Sequence, residues 1–292
     1  MAAGLLLIAH GSPEPEAQRS AADLVAWLTR RLAGVPVAVG YLEHQRPAVA
    51  EAAAALAAAG VRRAGILPLL LLAGGHRTRD VPALYAAIQG QHPGVHWVAA
   101  RGIDPGPLLL RALTDALTAA AGQAAAGPVQ GGPPQVAGAR GVPKVSRAIL
   151  LVGRGTSVPE GQRAFCALAE AFAAAVREPV VPCFAAVGQP TLAEAAERCV
   201  SAGAAEVWVL PYLLFPGAVL RQVRQTRIRL SRTYPGVRWR LAGEEGVAAL
   251  PRFRRYLLHL ALALLDGGRE ESGAPACALG VSGAPRERRS QD

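Results

Sequence analysis

Residues 6–19 read LLIAHGSPEPEAQR, and residues 150–163 read LLVGRGTSVPEGQR. The two align without a gap at an offset of 144, so that Gly11 falls on Gly155, Ser12 on Thr156, Pro15 on Pro159 and Glu16 on Glu160. Each begins as an unbroken apolar run, passes through a turn of small residues and continues into helical spacing. A run of this kind suits a strand buried on both faces of a parallel sheet. Further along the offset becomes 143, and Pro47, Glu51, Gly60, Pro68 and Gly74 fall on Pro190, Glu194, Gly203, Pro211 and Gly217. The copies differ in their titratable groups: His10 falls on Arg154, Glu43 on Ala186 and His76 on Val219. A duplicated fold whose second copy has lost these groups implies one active half and one supporting half.

The pattern around these stretches alternates strand and helix. In the first half, strands are expected over residues 4–9, 35–42, 64–72 and 95–99. Helices are expected over residues 16–32, 47–59, 80–89 and 107–121. The second half repeats the order, with strands over 148–152, 180–186, 206–213 and 237–242 and helices over 162–176, 190–202, 219–233 and 247–265. Strands separated by helices of this length imply right-handed βαβ units and parallel sheets, hence an α/β fold in two tandem domains. The expected division is 1–121, a Gly/Pro/Ala linker over 122–145, a second domain over 146–265, and a charged tail without fixed structure over 266–292.

Composition narrows the function. The chain has 292 residues, enough for two cores, and the cores are aliphatic because aromatic residues are few. The apolar run at 64–73 is about half the length of a membrane span. The first residues lack the basic segment of a signal peptide. Cys166, Cys183, Cys199 and Cys277 have no Cys-x-x-Cys spacing and read as free thiols in a cytoplasmic protein. The net charge of +10 comes almost wholly from arginine. No nucleic-acid motif accompanies it, and no Gly-x-Gly-x-x-Gly or P-loop accompanies the first turn. The field reads either as a solvated face or as an attractor for a polyanionic small molecule.

Ligands of parallel α/β sheets bind at the carboxyl ends of the strands. His10 follows the first strand, Glu43 and Arg46 follow the second, and His76 follows the third, so four polar groups converge on one rim. Neutral imidazoles bind borderline divalent metals such as Co²⁺, Fe²⁺ or Ni²⁺, and histidine accepts protons near its unperturbed pKa of about 6.5. Two histidines without a third obvious ligand leave coordination positions open, which suits transient metal handling. Asp80 can orient His76 or cap the helix it begins. His44, His92, His96 and His259 read as structural or solvent-exposed.

IAHGS (8–12), YLEHQRP (41–47) and LPLLLLAGGHRTRDVP (67–82) resemble the class II tetrapyrrole chelatases, and among them the sirohydrochlorin chelatases of cobalamin and sirohaem synthesis. LLVGRGTSVPEGQ, CFAAVGQPTLAEAAERC and VWVLPYLLFPGAVL in the second half resemble the degenerate half of two-domain members. The resemblance covers about residues 4–120 and 147–265. It implies two chelatase-like domains with the active cleft between them, and a lyase that inserts Co²⁺ or Fe²⁺ into sirohydrochlorin without ATP. By the same resemblance His10 is metal ligand and proton acceptor, and His76 is the second ligand. Glu43 assists metal delivery or proton removal. Arg46, Leu71, Leu72, Ala73, Gly74 and Gly75 contact the macrocycle. Ala73 stands where some members carry a further histidine. Arg154 in place of the first histidine argues against a second active site.

Sirohydrochlorin is a polycarboxylate, so Arg154 and Arg221 of the second half are expected to face the cleft and grip its carboxylates. A fused repeat supplies its own pseudo-two-fold cleft and is compatible with a monomer. Two other readings fit parts of the sequence. A metal or tetrapyrrole carrier would bind without turnover. A histidine phosphatase would need an arginine beside its histidine, and Ala9 stands there.

Overall fold

A computed structural model describes residues 2–71, 81–100, 102–103, 106–126, 147–266 and 281–282. In the first half β1 (Ala3–Ala9), α1 (Pro15–Arg31), β2 (Val37–Tyr41), α2 (Val49–Ala58), β3 (Arg63–Pro68), α3 (Val81–Gln91), β4 (His96–Ala100) and α4 (Pro107–Ala126) follow in turn. The second half runs β5 (Arg147–Gly155), α5 (Pro159–Val176), β6 (Val180–Val187), α6 (Leu192–Ser201), β7 (Glu206–Tyr212), α7 (Ala218–Thr233), β8 (Arg238–Leu241) and α8 (Pro251–Leu265). The sheets have matching parallel orders, β2-β1-β3-β4 and β6-β5-β7-β8. The two-domain α/β architecture read from the sequence is therefore present. Within the tail, Val281–Ser282 (β9) adds an antiparallel pairing to the edge of β4, which the sequence reading did not foresee.

Alternation along the strands builds three apolar layers. Leu6 and Ile8 of β1 face α2 and α3, packing with Val49, Ala53, Leu56, Ile88 and Trp97. In the second sheet Leu150 and Val152 face the side of α6 and α7, with Ala195, Ala196, Cys199 and Val223. The opposite faces, Leu5 and Leu7 in one sheet and Ile149 and Leu151 in the other, belong to a single central cluster. The two halves therefore share their main core. Helix α8, last in the second half, packs on β1, β3 and β4 of the first sheet, while α4 packs against α5 and α8. Close approach explains Gly65: a Cβ there would lie 2.7 Å from Cβ of Leu264.

One expected helix is two. Residues 247–265 divide into a 3₁₀ turn, Val247–Ala249, and α8, because Leu250 is extended (φ −69°, ψ 126°) and Pro251 follows it. The residue before a proline is pushed out of the helical region.

The duplication extends to fine geometry. Isolated bridges join Tyr41 to Ala48 and Phe184 to Thr191, and the Arg46–Pro47 and Gln189–Pro190 peptide bonds are both cis. Glu51 accepts from the backbone of Ala48 at the start of α2, and Glu194 from that of Thr191 at the start of α6. These bonds hold both carboxyls below the usual glutamate range.

Candidate functional site

The turn after β1 is built by short-range constraints. Gly11 has φ 87°, and a Cβ there would sit 1.9 Å from the Glu43 carbonyl oxygen. Only glycine fits such an approach in the left-handed region. Leu42 and Glu43 donate backbone N–H groups to the carbonyls of Ala9 and His10. The Ser12 hydroxyl accepts from the N–H of Glu14 at 3.1 Å, and its carbonyl accepts from Gln18 Nε2 at 2.8 Å. The second half repeats this atom for atom: Thr156 accepts from Val158 at 3.1 Å and from Gln162 at 2.8 Å. Gly155 has φ 96° and abuts the carbonyl of Val187. The same frame thus projects His10 from one half and Arg154 from the other.

That frame also corrects the alignment. Gly11 meets Glu43 where Gly155 meets Val187, so Glu43 corresponds to Val187 and not to Ala186. The offset changes between Glu43 and Pro47, where the first half has one extra residue.

A cleft of about 550 Å³ lies between the halves at the strand ends. His10, His44, Tyr41 and Leu71 line it from the first half, and Arg154 and Tyr212 from the second. Its floor exists because of small residues. Helix α1 presents Ala17 and Ala21 to the cleft. The corresponding residues of α5 are Gly161 and Phe165, and the Phe165 ring fills its side, packed on Phe184 at 5.3 Å and Tyr212 at 5.8 Å between centroids. The first copy keeps a hollow that the second has filled. Burial raises the Tyr41 hydroxyl above its usual range, so it stays protonated as a donor, and Gln45 opposes that shift.

Of the residues singled out from sequence, His10, Arg154 and Leu71 meet in this cleft. Glu43 and Arg46 do not line it. The Glu43 carboxylate lies 3.5 Å from His44 Nε2. Arg46 is 78% exposed and pairs with Glu51 at 2.6 Å. Arg221, expected to face the cleft, is bound in a two-pronged ion pair to Glu14 of the first half, with one prong at 2.5 Å. Arg224 reaches Glu16 at 3.9 Å and Glu244 at 3.0 Å. These arginines tie the halves together, and their charge is already matched. His76, Leu72, Ala73, Gly74, Gly75 and Asp80 lie outside the described residues. Among the described residues no group of three or more His, Cys, Asp or Glu is arranged to hold a metal.

His44 was missed as a cleft residue. Its ring lies parallel to that of His10, 6° between planes and 6.4 Å between centroids. The signal available was its place beside Glu43 in YLEHQRP, which the loop reading discounted. Cys183 and Cys199 are free and buried in the second half, and burial pushes the Cys199 thiol up to about 11. No helix among the described residues is long and apolar enough to cross a membrane.

Similar proteins share this architecture. The chain is 24% identical over 239 residues to a sirohydrochlorin ferrochelatase of Bacillus subtilis, covering 81% of this chain and 84% of that protein. It is 24% identical over 245 residues to a sirohydrochlorin cobaltochelatase of Priestia megaterium, covering 83% and 74%. In fold it is similar to the SirB structure from B. subtilis with Fe³⁺, with a TM-score of 0.73 and 20% identity over 93% of this chain and 98% of that one. The CbiX family model matches residues 4–120 and 148–250, on either side of the junction between the halves. With three quarters of its length matched in register with both copies of the repeat, the chain belongs to the CbiX family.

Proposed function

We propose that the protein is a chelatase that inserts Co²⁺ or Fe²⁺ into sirohydrochlorin, without a nucleotide, in sirohaem or cobalamin synthesis. The observation that carries this reading is the shared cleft, with an imidazole at the strand end of one half and a guanidinium at the same point of the other. The relatives that span most of the chain are named for this activity.

Insertion exchanges two pyrrole N–H protons for one divalent metal, and the two protons leave. His10 at the rim is suited to contact the metal and to take a proton, in company with His76. Histidine in this role contributes about 10²–10⁴-fold. Arg154 faces a ring carboxylate across the cleft, a charge-assisted pairing of the stronger kind. Ala17 and Ala21 leave room for the edge of a flat macrocycle, and Leu71 and Tyr212 offer it apolar walls. Glu43 and Arg46 act from outside this lining, Arg46 at the helix start it shares with Glu51.

The test is to mix the protein with sirohydrochlorin and Co²⁺ or Fe²⁺ and follow the absorption spectrum. We expect metal-dependent turnover, reduced about a hundredfold or more in His10→Ala. A rate equal to that of the metal and tetrapyrrole alone would reject the enzyme and leave a carrier.

A further inference from the structure

His44 sits in a backbone region that histidine enters more often than most side chains do, though far less readily than glycine. Its φ is 61°, in the left-handed region, which is sparsely occupied by residues with a Cβ. The matching turn of the second half has glycine there, Gly188 at φ 118°. The first half also has one residue more between the fixed points of this turn. Strained positions of this kind persist where the surroundings or the function require the side chain.

His44 lines the cleft beside His10, with parallel rings 6.4 Å apart between centroids. The planes are stacked, so one ion is shared only once the half-exposed His44 ring turns to bring a nitrogen within about 2 Å of an ion held at His10. About half of the His44 side chain is exposed, whereas His10 sits deeper, at the end of β1. The Glu43 carboxylate lies against Nε2 of His44 at 3.5 Å. A carboxylate on one ring nitrogen is the usual way to orient a metal-binding histidine, and it leaves the other nitrogen, Nδ1, for the metal.

We propose that His44 is a further metal-contacting residue, which takes a divalent cation from solvent at the cleft mouth and holds it with His10 until the macrocycle is seated. Glu43 is then a positioning residue that acts through His44, in keeping with its place outside the cleft lining. The proposal rests on the metal-insertion reading. Two neutral imidazoles suit borderline ions such as Co²⁺ and Fe²⁺, and water completes the coordination until the ring displaces it.

The test uses the full chain and Co²⁺ alone, titrated by visible absorption and calorimetry without tetrapyrrole. His44→Gly installs the residue that the second half already carries. His44→Asn keeps a residue tolerant of the left-handed region. Thermal unfolding confirms that both are folded. We expect Co²⁺ affinity to fall about tenfold in each, and Glu43→Gln to fall in the same direction by less. In the insertion assay the KM for Co²⁺ rises in the two His44 variants by a larger factor than kcat falls. A loss below threefold in both His44 variants overturns the proposal, as does an absence of Co²⁺ binding by the unaltered chain. Undiminished Co²⁺ binding by the unaltered chain without any insertion would instead reject the enzyme reading, and the His44 comparison would still stand.

Discussion

Single residues decide which half is hollow. Ala21 corresponds to Phe165, and the difference is one phenyl ring beneath the strand end. Ala21→Phe copies the filled half into the open one. We expect it to abolish sirohydrochlorin binding, measured by quenching or absorption change, while costing stability no more than the 1–3 kcal/mol or so of ordinary overpacking. Unchanged affinity would place the macrocycle elsewhere. At this scale the sequence was readable wherever the motif fixed the backbone. His10 and Arg154 stand next to paired glycines, and their facing positions follow from the repeat. His44 was not readable, because a one-residue insertion in a loop shifts the alignment without any change in composition. The partner of Arg221 was not readable either. Glu14 lies 207 residues away, and no local pattern reports a contact at that distance.

Secondary elements followed their apolar spacing closely. Helix α1 buries Ala17, Ala21, Leu24 and Leu28 along one stripe, as helical periodicity requires. The break at Leu250 shows where periodicity misleads, since the apolar pattern runs through Pro251 although the backbone cannot. What spacing could not reveal was the surface each element covers. Helix α8 lies on the first sheet, and its close fit to β3 depends on Gly65. Gly65→Ala would drive a methyl group into Leu264, and the backbone of α8 must give way. We expect a loss of about 1–3 kcal/mol in urea unfolding, from an exchange that elsewhere in a strand would be mild or favourable. A neutral effect would mean that α8 is free to shift on the sheet.

Across the whole molecule, the ion pair of Glu14 with Arg221 is a pH-sensitive tie between the halves. The Arg221 guanidinium holds the Glu14 carboxyl below its usual range. A carboxyl depressed by folding contributes fully above its unfolded pKa of about 4.3, and the contribution is lost as pH falls through the lower folded value. Glu14→Gln should therefore flatten the acid limb of the stability curve while lowering stability at neutral pH. Urea midpoints measured from about pH 3 to pH 6 would check this. An acid limb as steep as that of the unaltered chain would show that Glu14 does not carry it. The size of the effect is limited by exposure, since solvent screens such pairs.

The central cluster has one more consequence, for the history of the gene. Each half leaves part of an apolar face for the other to cover, and α8 sits on a sheet formed more than a hundred residues earlier. A gene split between α4 and β5 would encode two polypeptides, each born with an open core. They would have to find each other before either found a chaperone or a protease. Once the copies had come to rely on each other in this way, ancestry could reshape the second half into a wall for the cleft, but it could no longer discard it.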